Sequence, residues 1–558
     1  MSPPRHALWA VIDGKRFEVK HDGAAVFPVS RGEVQGLALS PDGGSVIAAL
    51  PVPEAPESWQ TLYPPPFKSR VSQIRAGRSS ARQWVRINLH TGSIQSLTDA
   101  PINPQGSWGW IFAGPTWSSD GQAVLLPGTF VKSKDNAPSR PCVAVVDLAS
   151  NTRTCVEMLK GRTETGVEEG FHHLQEVRFV AGNKNRVLVR FRNHPDIYSF
   201  GSTEYERTAD GTWSVVGQRS GDFGVGPDGF GVRVKQGLNE PPLVVATYKQ
   251  ESRVIWDPNP QLKNVDLGQA TVYEWKDKEG REWRGGLFKP SGYKPGLRYP
   301  LVIQTHGFTE SKFVPSGTLP SAFAARELAA AGIVVLQVPD TVCVSGTPDE
   351  GPCGASGYES AANQLVSEGL VDPERIGIIG FSRSCWSVMV MLTTTPLHLK
   401  AASVTDGVMA DYFQYMKTVD QGGGYDSMIG TPPFGKGLQQ WLKASPGFNL
   451  DKITAPLSVV AEGPSSLLFM WGPYAGLRYL KKPVDLILLN TRQHVLTNPA
   501  VRMASQGGSV DWFRFWLQDY EDPGLAKKEQ YERWRGLRKM QEENEAKARR
   551  QVTGDGPQ

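Results

Sequence analysis

To about residue 262, apolar residues come in short β-type runs broken by Gly, Asp, Asn and Pro, with hardly a stretch of helical periodicity. GLALSPDGGSVIAAL (36–50), PTWSSDGQAVLLPG (115–128) and EVRFVAGNKNRVLVRF (176–191) repeat one unit: a strand, a tight turn and a second strand. WVRINLHTGSIQSLT (84–98) and CVAVVDLASNTRTCVEM (142–158) have the same form. Such a unit cannot bury its face alone and stacks on its neighbours as an antiparallel blade. The pattern predicts a β-propeller over residues 1–262, with a β-sandwich as the alternative. About five blade-like units are countable, which leaves the completeness of the ring open.

Beyond the Pro/Asn-rich link WDPNPQLKNVDLGQA (256–270) the texture changes. Buried-type strands LVIQTHGF (301–308), IVVLQVPD (333–340), RIGIIGFS (375–382), KAASVTDGV (400–408), APLSVVAEG (455–463) and VDLILLNT (484–491) alternate with helical stretches. Strands apolar on both faces, separated by crossover helices, predict a mostly parallel sheet in an α/β domain over 263–525. Residues 526–558 read as a charged helical tail, by default a solvated surface helix.

Candidate chemistry sits where a strand meets a helix. Ser382 lies in Gly380-Phe381-Ser382-Arg383-Ser384, between RIGIIG and CWSVMVML. A strand-to-helix elbow leaves no room for side chains two positions either side of its nucleophile, and Gly380 and Ser384 are small. Gly77-Arg78-Ser79-Ser80-Ala81 has the same spacing but lies in a polar loop, so context selects Ser382. A serine hydroxyl needs a base and an acid to orient that base. Only His398 and His494 follow Ser382. His398 ends the elbow helix, whereas His494 follows the last strand, where the α/β-hydrolase order of Ser, acid and His places the base.

Seven acids lie between Ser382 and His494. Glu462 ends the penultimate strand and is the favoured orienter; Asp406, one strand earlier, is second. The oxyanion hole is expected from the backbone N–H of Arg383 and from the turn His306-Gly307-Phe308, that is, Gly307 and Phe308. The Arg383 side chain is a candidate anchor for a substrate carboxylate or carbonyl, with an elbow-flanking ion pair as the alternative.

Composition adds exclusions. At 558 residues more than one core is expected, and a net charge of +4 from 60 basic and 56 acidic residues points to neither nucleic acid nor an anionic membrane. No run reaches the roughly 18 apolar residues of a membrane span, and the N-terminus lacks a secretory signal pattern. A cytoplasmic location is expected, or a periplasmic one if an export segment is missing. Of five cysteines, Cys142/Cys155 and Cys343/Cys353 are candidate disulfides, with free thiols as the alternative. His172-His173 lacks further ligands at zinc spacing and reads as a surface pair, so no metal or other cofactor is expected.

The predicted propeller followed by PLVIQTHGF, IGIIGFSRS, APLSVVAEG and NTRQHVL resembles the prolyl oligopeptidase family of serine peptidases over nearly the whole chain. GFSRS in place of an elbow with a second glycine, a glutamate at the acid position and the ending DWFRFWLQDYEDP with EQYERWR resemble its lasso peptide isopeptidases. The resemblance implies Ser382 as nucleophile, Glu462 as orienter and His494 as base and acid. It implies cleavage of the isopeptide bond that closes a lasso peptide ring, with a compact peptide as partner. A general oligopeptidase, an aminopeptidase or an esterase with the same triad is the alternative.

Overall fold

The computed structural model describes residues 7–28, 36–52, 56–62, 81–102, 108–109, 111–131, 140–161, 167–180, 183–193, 200–220, 224–225, 230–249, 251–418 and 424–553. Residues 77–80 of the second Gly-x-Ser-x-small string lie outside them. The chain divides into two compact units, Met1–Arg233 and Val234–Gln558.

In the first unit the described residues form separate small antiparallel sheets. Three are four-stranded meanders, with strands at Ala38–Leu39, Ser45–Val52, Ala81–Asn88 and Ile94–Ser96; at Thr116–Trp117, Ala123–Phe130, Pro141–Asp147 and Arg153–Met158; and at His172–Val180, Asn183–Asn193, Phe200–Arg207 and Trp213–Ser220. Their inward residues, among them Ile47, Trp84, Val124, Leu126, Val143, Val177 and Val189, share one core. The sheets follow the turn signals because each Asp-Gly or Gly-Asn reversal joins neighbouring strands, as between Val46 and Leu39 across Ser40–Ser45. Among the described residues these sheets do not close into a propeller. Hairpin signals fix pairing within a sheet but not closure of a ring.

Residues 234–262, counted with the propeller from the sequence, belong to the second unit. Short polar contacts hold their start there. Arg326 donates to the Leu238 carbonyl, and Asn239 exchanges two hydrogen bonds with Ala270.

The second unit is built on an eight-stranded sheet of β1 (Ala270–Lys276), β2 (Glu282–Phe288), β3 (Tyr299–Gln304), β4 (Val334–Gln337), β5 (Val371–Phe381), β6 (Ala401–Thr405), β7 (Leu457–Glu462) and β8 (Val484–Leu489). Their spatial order is 1-2-4-3-5-6-7-8. β1 and β2 are antiparallel, β2 runs antiparallel to β4, and every pairing from β4 through β8 is parallel. The apolar strands are buried on both faces because helices cover both. On one face lie α1 (Glu350–Ser367), α2 (Cys385–Thr394) and α3 (Pro464–Tyr479), through Tyr358, Leu365, Trp386, Met389 and Met470. On the other lies α4 (Pro499–Gln518), through Trp512, Phe513, Phe515 and Trp516. Asn498 caps α4 by accepting from Ala500 N, with Pro499 at its first position.

The tail differs from the solvated helix expected. α5 (Lys528–Thr553) buries Tyr531 and Trp534 against α4, and Trp534 Nε1 donates to the buried Asp485 carboxylate at 2.7 Å. Two aromatics one turn apart in an otherwise charged helix supply the anchoring stripe. His172 and His173 also differ from a surface reading. They lie on a strand, His173 is buried, and His172 stacks on Phe191 and faces Glu157 at 3.1 Å.

Candidate active site

β5 ends at Phe381, and Ser382–Ser384 forms a single 3-10 turn leading directly into α2. Ser382 sits at φ 53°, a left-handed conformation that costs a non-glycine residue roughly 1–3 kcal/mol and persists only where its surroundings impose it. A Cβ on Gly380 would lie 3.0 Å from Val388 Cγ2 and 3.1 Å from Cys385 Cα, so the elbow closes on the bare backbone there. Ser384, two positions after Ser382, is buried. Its hydroxyl donates to the Phe381 carbonyl at 2.9 Å, accepts from Phe381 N at 3.2 Å and meets Thr305 Oγ1 at 2.6 Å. The extra hydroxyl ties the turn to the end of β3.

His494 arrives in the loop after β8. Its backbone is pinned by Ser321, whose hydroxyl donates to the His494 carbonyl at 3.0 Å and accepts from Leu496 N at 3.0 Å. Gly463, at φ 90°, lets the neighbouring loop approach, since a Cβ there would stand 2.0 Å from the Thr491 carbonyl oxygen. The imidazole lies over the Phe381 ring, with centroids 4.8 Å apart and 21° between planes. His494 Nε2 is 2.8 Å from Ser382 Oγ, and Nδ1 is 2.6 Å from Asp406 Oδ2.

The carboxylate on the imidazole is therefore Asp406, not Glu462. Asp406 follows β6 directly, at φ 42°, and its N–H donates to the Val460 carbonyl on β7. Glu462 ends β7 beside it. Donor and acceptor atoms of Asp406, Glu462 and His494 lie within 4.8 Å of one another, and the buried Glu462 carboxyl faces Asp406 rather than the ring. Burial first, and then the adjacent Asp406, pushes the Glu462 carboxyl up to about 9, so it carries its proton at neutral pH. The two acids end neighbouring strands, and a hydrogen bond to the ring goes to the shorter, less buried side chain. Two carboxylates and an imidazole are also a metal-type donor set, yet both ring nitrogens of His494 are already engaged, one by Asp406 and one by Ser382.

On the oxyanion side, one expected donor is engaged elsewhere. The Gly307 N–H donates to the Val338 carbonyl at 2.9 Å, so the donor expected of it is committed to a strand end. The Arg383 N–H stands at the second position of the 3-10 turn, within the first turn where a helix offers its N–H no acceptor of its own. Phe308 packs its ring over Gly286, where a Cβ would come within 2.3 Å of it. His306 bonds Asp340 through Nδ1 at 2.6 Å. Burial works against its charge, but the Asp340 carboxylate prevails and raises its pKa. The Arg383 guanidinium is not an unpaired substrate anchor, because it grips both oxygens of Glu350, which is itself 2% exposed. His398 lies exposed beyond the end of α2.

Sequence reasoning missed Asp340 and Glu350. Asp340 ends the run IVVLQVPD, a strand-end signal that was there to be used; Glu350 had none beyond its place between two cysteines. Cys343 and Cys353 are disulfide-bonded, whereas Cys142, Cys155 and Cys385 are free thiols.

No protein-family model matches the chain. Over 318 residues it is 28% identical to the lasso peptide isopeptidase AtxE2 of Asticcacaulis excentricus, a match covering 52% of this chain and 44% of that relative. The aligned segment thus spans less than half the relative's length. Among solved structures, AtxE2 without ligand superposes with a TM-score of 0.53 at 18% identity, covering 96% of this chain and 83% of that one. Porphyromonas gingivalis dipeptidyl peptidase 4 gives 0.58 at 14%, covering 90% and 79%. A puromycin-hydrolyzing peptidase of Mycobacterium tuberculosis gives 0.58 at 15%, covering 92% and 83%. The chain is thus similar in sequence to a lasso peptide isopeptidase, and it shares its fold with solved peptidases. AtxE2 is returned by both the sequence and the structure comparison.

Proposed function

We propose that the chain hydrolyses an amide bond with Ser382 as nucleophile, His494 as base and acid, and Asp406 as orienter. The observation that carries this is the unbroken hydrogen-bonded line from Asp406 through His494 to Ser382 Oγ, at an elbow held in a left-handed conformation. His494 Nε2 takes the Ser382 proton as Oγ attacks the carbonyl carbon, and Asp406 stabilises the imidazolium that forms. The developing oxyanion faces the Arg383 N–H at the start of the turn. His494 returns the proton to the departing amine, leaving an acyl-enzyme; it then deprotonates a water, which releases the acid product.

The proposed substrate is the isopeptide bond of a lasso peptide, which joins an N-terminal amine to an Asp or Glu side chain. Support comes from the isopeptidase match and from a solved variant of that enzyme with Astexin3-dC4 bound, which superposes with a TM-score of 0.55. Mass spectrometry of a lasso peptide panel before and after incubation tests this. Ring opening adds one water without producing two fragments, and Ser382→Ala abolishes it. Intact rings alongside cleaved linear peptides would replace the isopeptidase reading with a linear-peptide peptidase.

A further inference from the structure

Glu350 takes no part in the proposed hydrolysis, yet it is a fully buried carboxylate one residue's reach from the nucleophile. It sits in the first turn of α1 and is held from two sides: Arg383 binds both its oxygens through Nε and Nη2, and the Gly346 N–H donates to Oε2. A fork of two parallel N–H···O bonds fixes the plane of an arginine as well as its position. Gly346, at φ 81°, makes the turn that aims its N–H inward. Gly346 and Glu350 both lie inside the segment 343–353, which the Cys343–Cys353 disulfide closes into a covalent ring. Inside the ring, Thr347 Oγ1 donates to the Val344 carbonyl at 2.7 Å and Glu350 N to the Thr347 carbonyl at 3.2 Å. Outside it, Arg281 Nη1 reaches Cys343 Sγ at 3.4 Å.

Arg383 is the residue whose backbone N–H follows the nucleophile. An N–H that stabilises developing charge works only if held in place before the reaction, and a loss of one such donor costs on the order of a hundredfold. Ser382 cannot hold the turn alone, because its own left-handed backbone is strained. The Arg383 side chain extends the turn's anchorage into the ring. From this we infer that Glu350 is a positioning residue for the oxyanion side of Ser382, and that the Cys343–Cys353 ring keeps it there, so that opening the disulfide slows the enzyme. The inference rests on Ser382 being the nucleophile. Opening by a dithiol is balanced: Cys343 and Cys353 each gain a hydrogen, and the reductant closes to its own cyclic disulfide.

The test is the second-order rate of labelling by a fluorophosphonate on the full chain. In that reaction Ser382 Oγ attacks phosphorus, fluoride leaves, and the phosphoryl oxygen occupies the oxyanion position. Four samples are compared: oxidised wild type, dithiothreitol-reduced wild type, Cys343→Ser with Cys353→Ser, and Glu350→Gln. The expected result is a rate about tenfold or more lower in the last three, with full labelling stoichiometry at long times and partial recovery in Glu350→Asp. A merely structural role would instead lower the stoichiometry at an unchanged rate. Unchanged rates in Glu350→Gln or after reduction overturn the inference, as does alkylation of Cys343 and Cys353 without reductant. Wild type that does not label at all overturns the nucleophile assignment itself, which separates the two failures.

Discussion

Glu462 offers the sharpest physical test of the site, because its burial converts into a slope of stability against pH. With a folded-state pKa of about 9 and an ordinary value of 4.5, the folded protein holds a proton between these limits that the unfolded chain has released. The stability this group contributes is fully present below its ordinary value and is lost as pH rises towards 9. The loss runs at about 1.4 kcal/mol per pH unit, or roughly 3 kcal/mol between pH 4.5 and pH 7. Glu462→Gln keeps the shape and a donor group but does not titrate. Urea melts of both proteins at pH 5, 6, 7 and 8 are expected to diverge, with the variant gaining steadily on wild type as pH rises. Activity supplies the second arm. Asp406→Asn disrupts the acceptor that holds His494 in the right tautomer and should lower kcat by about 10⁴, whereas Glu462→Gln, which removes no charge at neutral pH, should cost less than about tenfold. Parallel stability curves would refute the protonated carboxyl, and an equal loss of activity in both variants would move the orienting role to Glu462.

Two further perturbations probe the framework. Trp534→Ala deletes a fully buried indole and leaves Asp485 without its 2.7 Å donor, so it should cost about 3–5 kcal/mol in denaturant melts; a loss below about 1 kcal/mol would return the tail to solvent. Gly463→Ala forces a Cβ to within 2.0 Å of the Thr491 carbonyl oxygen and must shift the loop that carries His494. A displacement near 1 Å costs about a hundredfold in rate, so kcat should fall while far-ultraviolet circular dichroism stays unchanged, and retained kcat would show that the loop yields elsewhere.

The elbow was legible because its requirements are local. A buried strand, a small residue on either side of Ser382 and an apolar helix follow one another in the chain, and sterics at Gly380 leave little choice of residue. His494 was legible by elimination, with one other histidine after the nucleophile and that one stranded past α2. The acid is narrowed to Glu462 and Asp406 by sequence but ranked in the wrong order, Glu462 first, because both end neighbouring strands and chain order does not show which one reaches the ring. The place of Gly307 after β3 predicts an oxyanion donor, whereas its N–H goes to the Val338 carbonyl. A turn pattern shows where an N–H lies, but the competing acceptor comes from a strand distant in sequence.

Legible along the chain were the alternation of buried strands and helices in the second unit, the small antiparallel sheets in the first, and the serine and histidine, Ser382 and His494, proposed as nucleophile and base. Each of these depends on periodicity, turn chemistry or order along the chain, which act over a few residues. Contacts between distant segments settle which carboxylate meets His494, that Arg383 is neutralised by Glu350, that Cys343 pairs with Cys353, and that the charged tail buries Trp534 beneath its polar face. Those outcomes depend on distances between residues far apart in the chain, where a shift of an ångström separates a hydrogen bond from an empty contact.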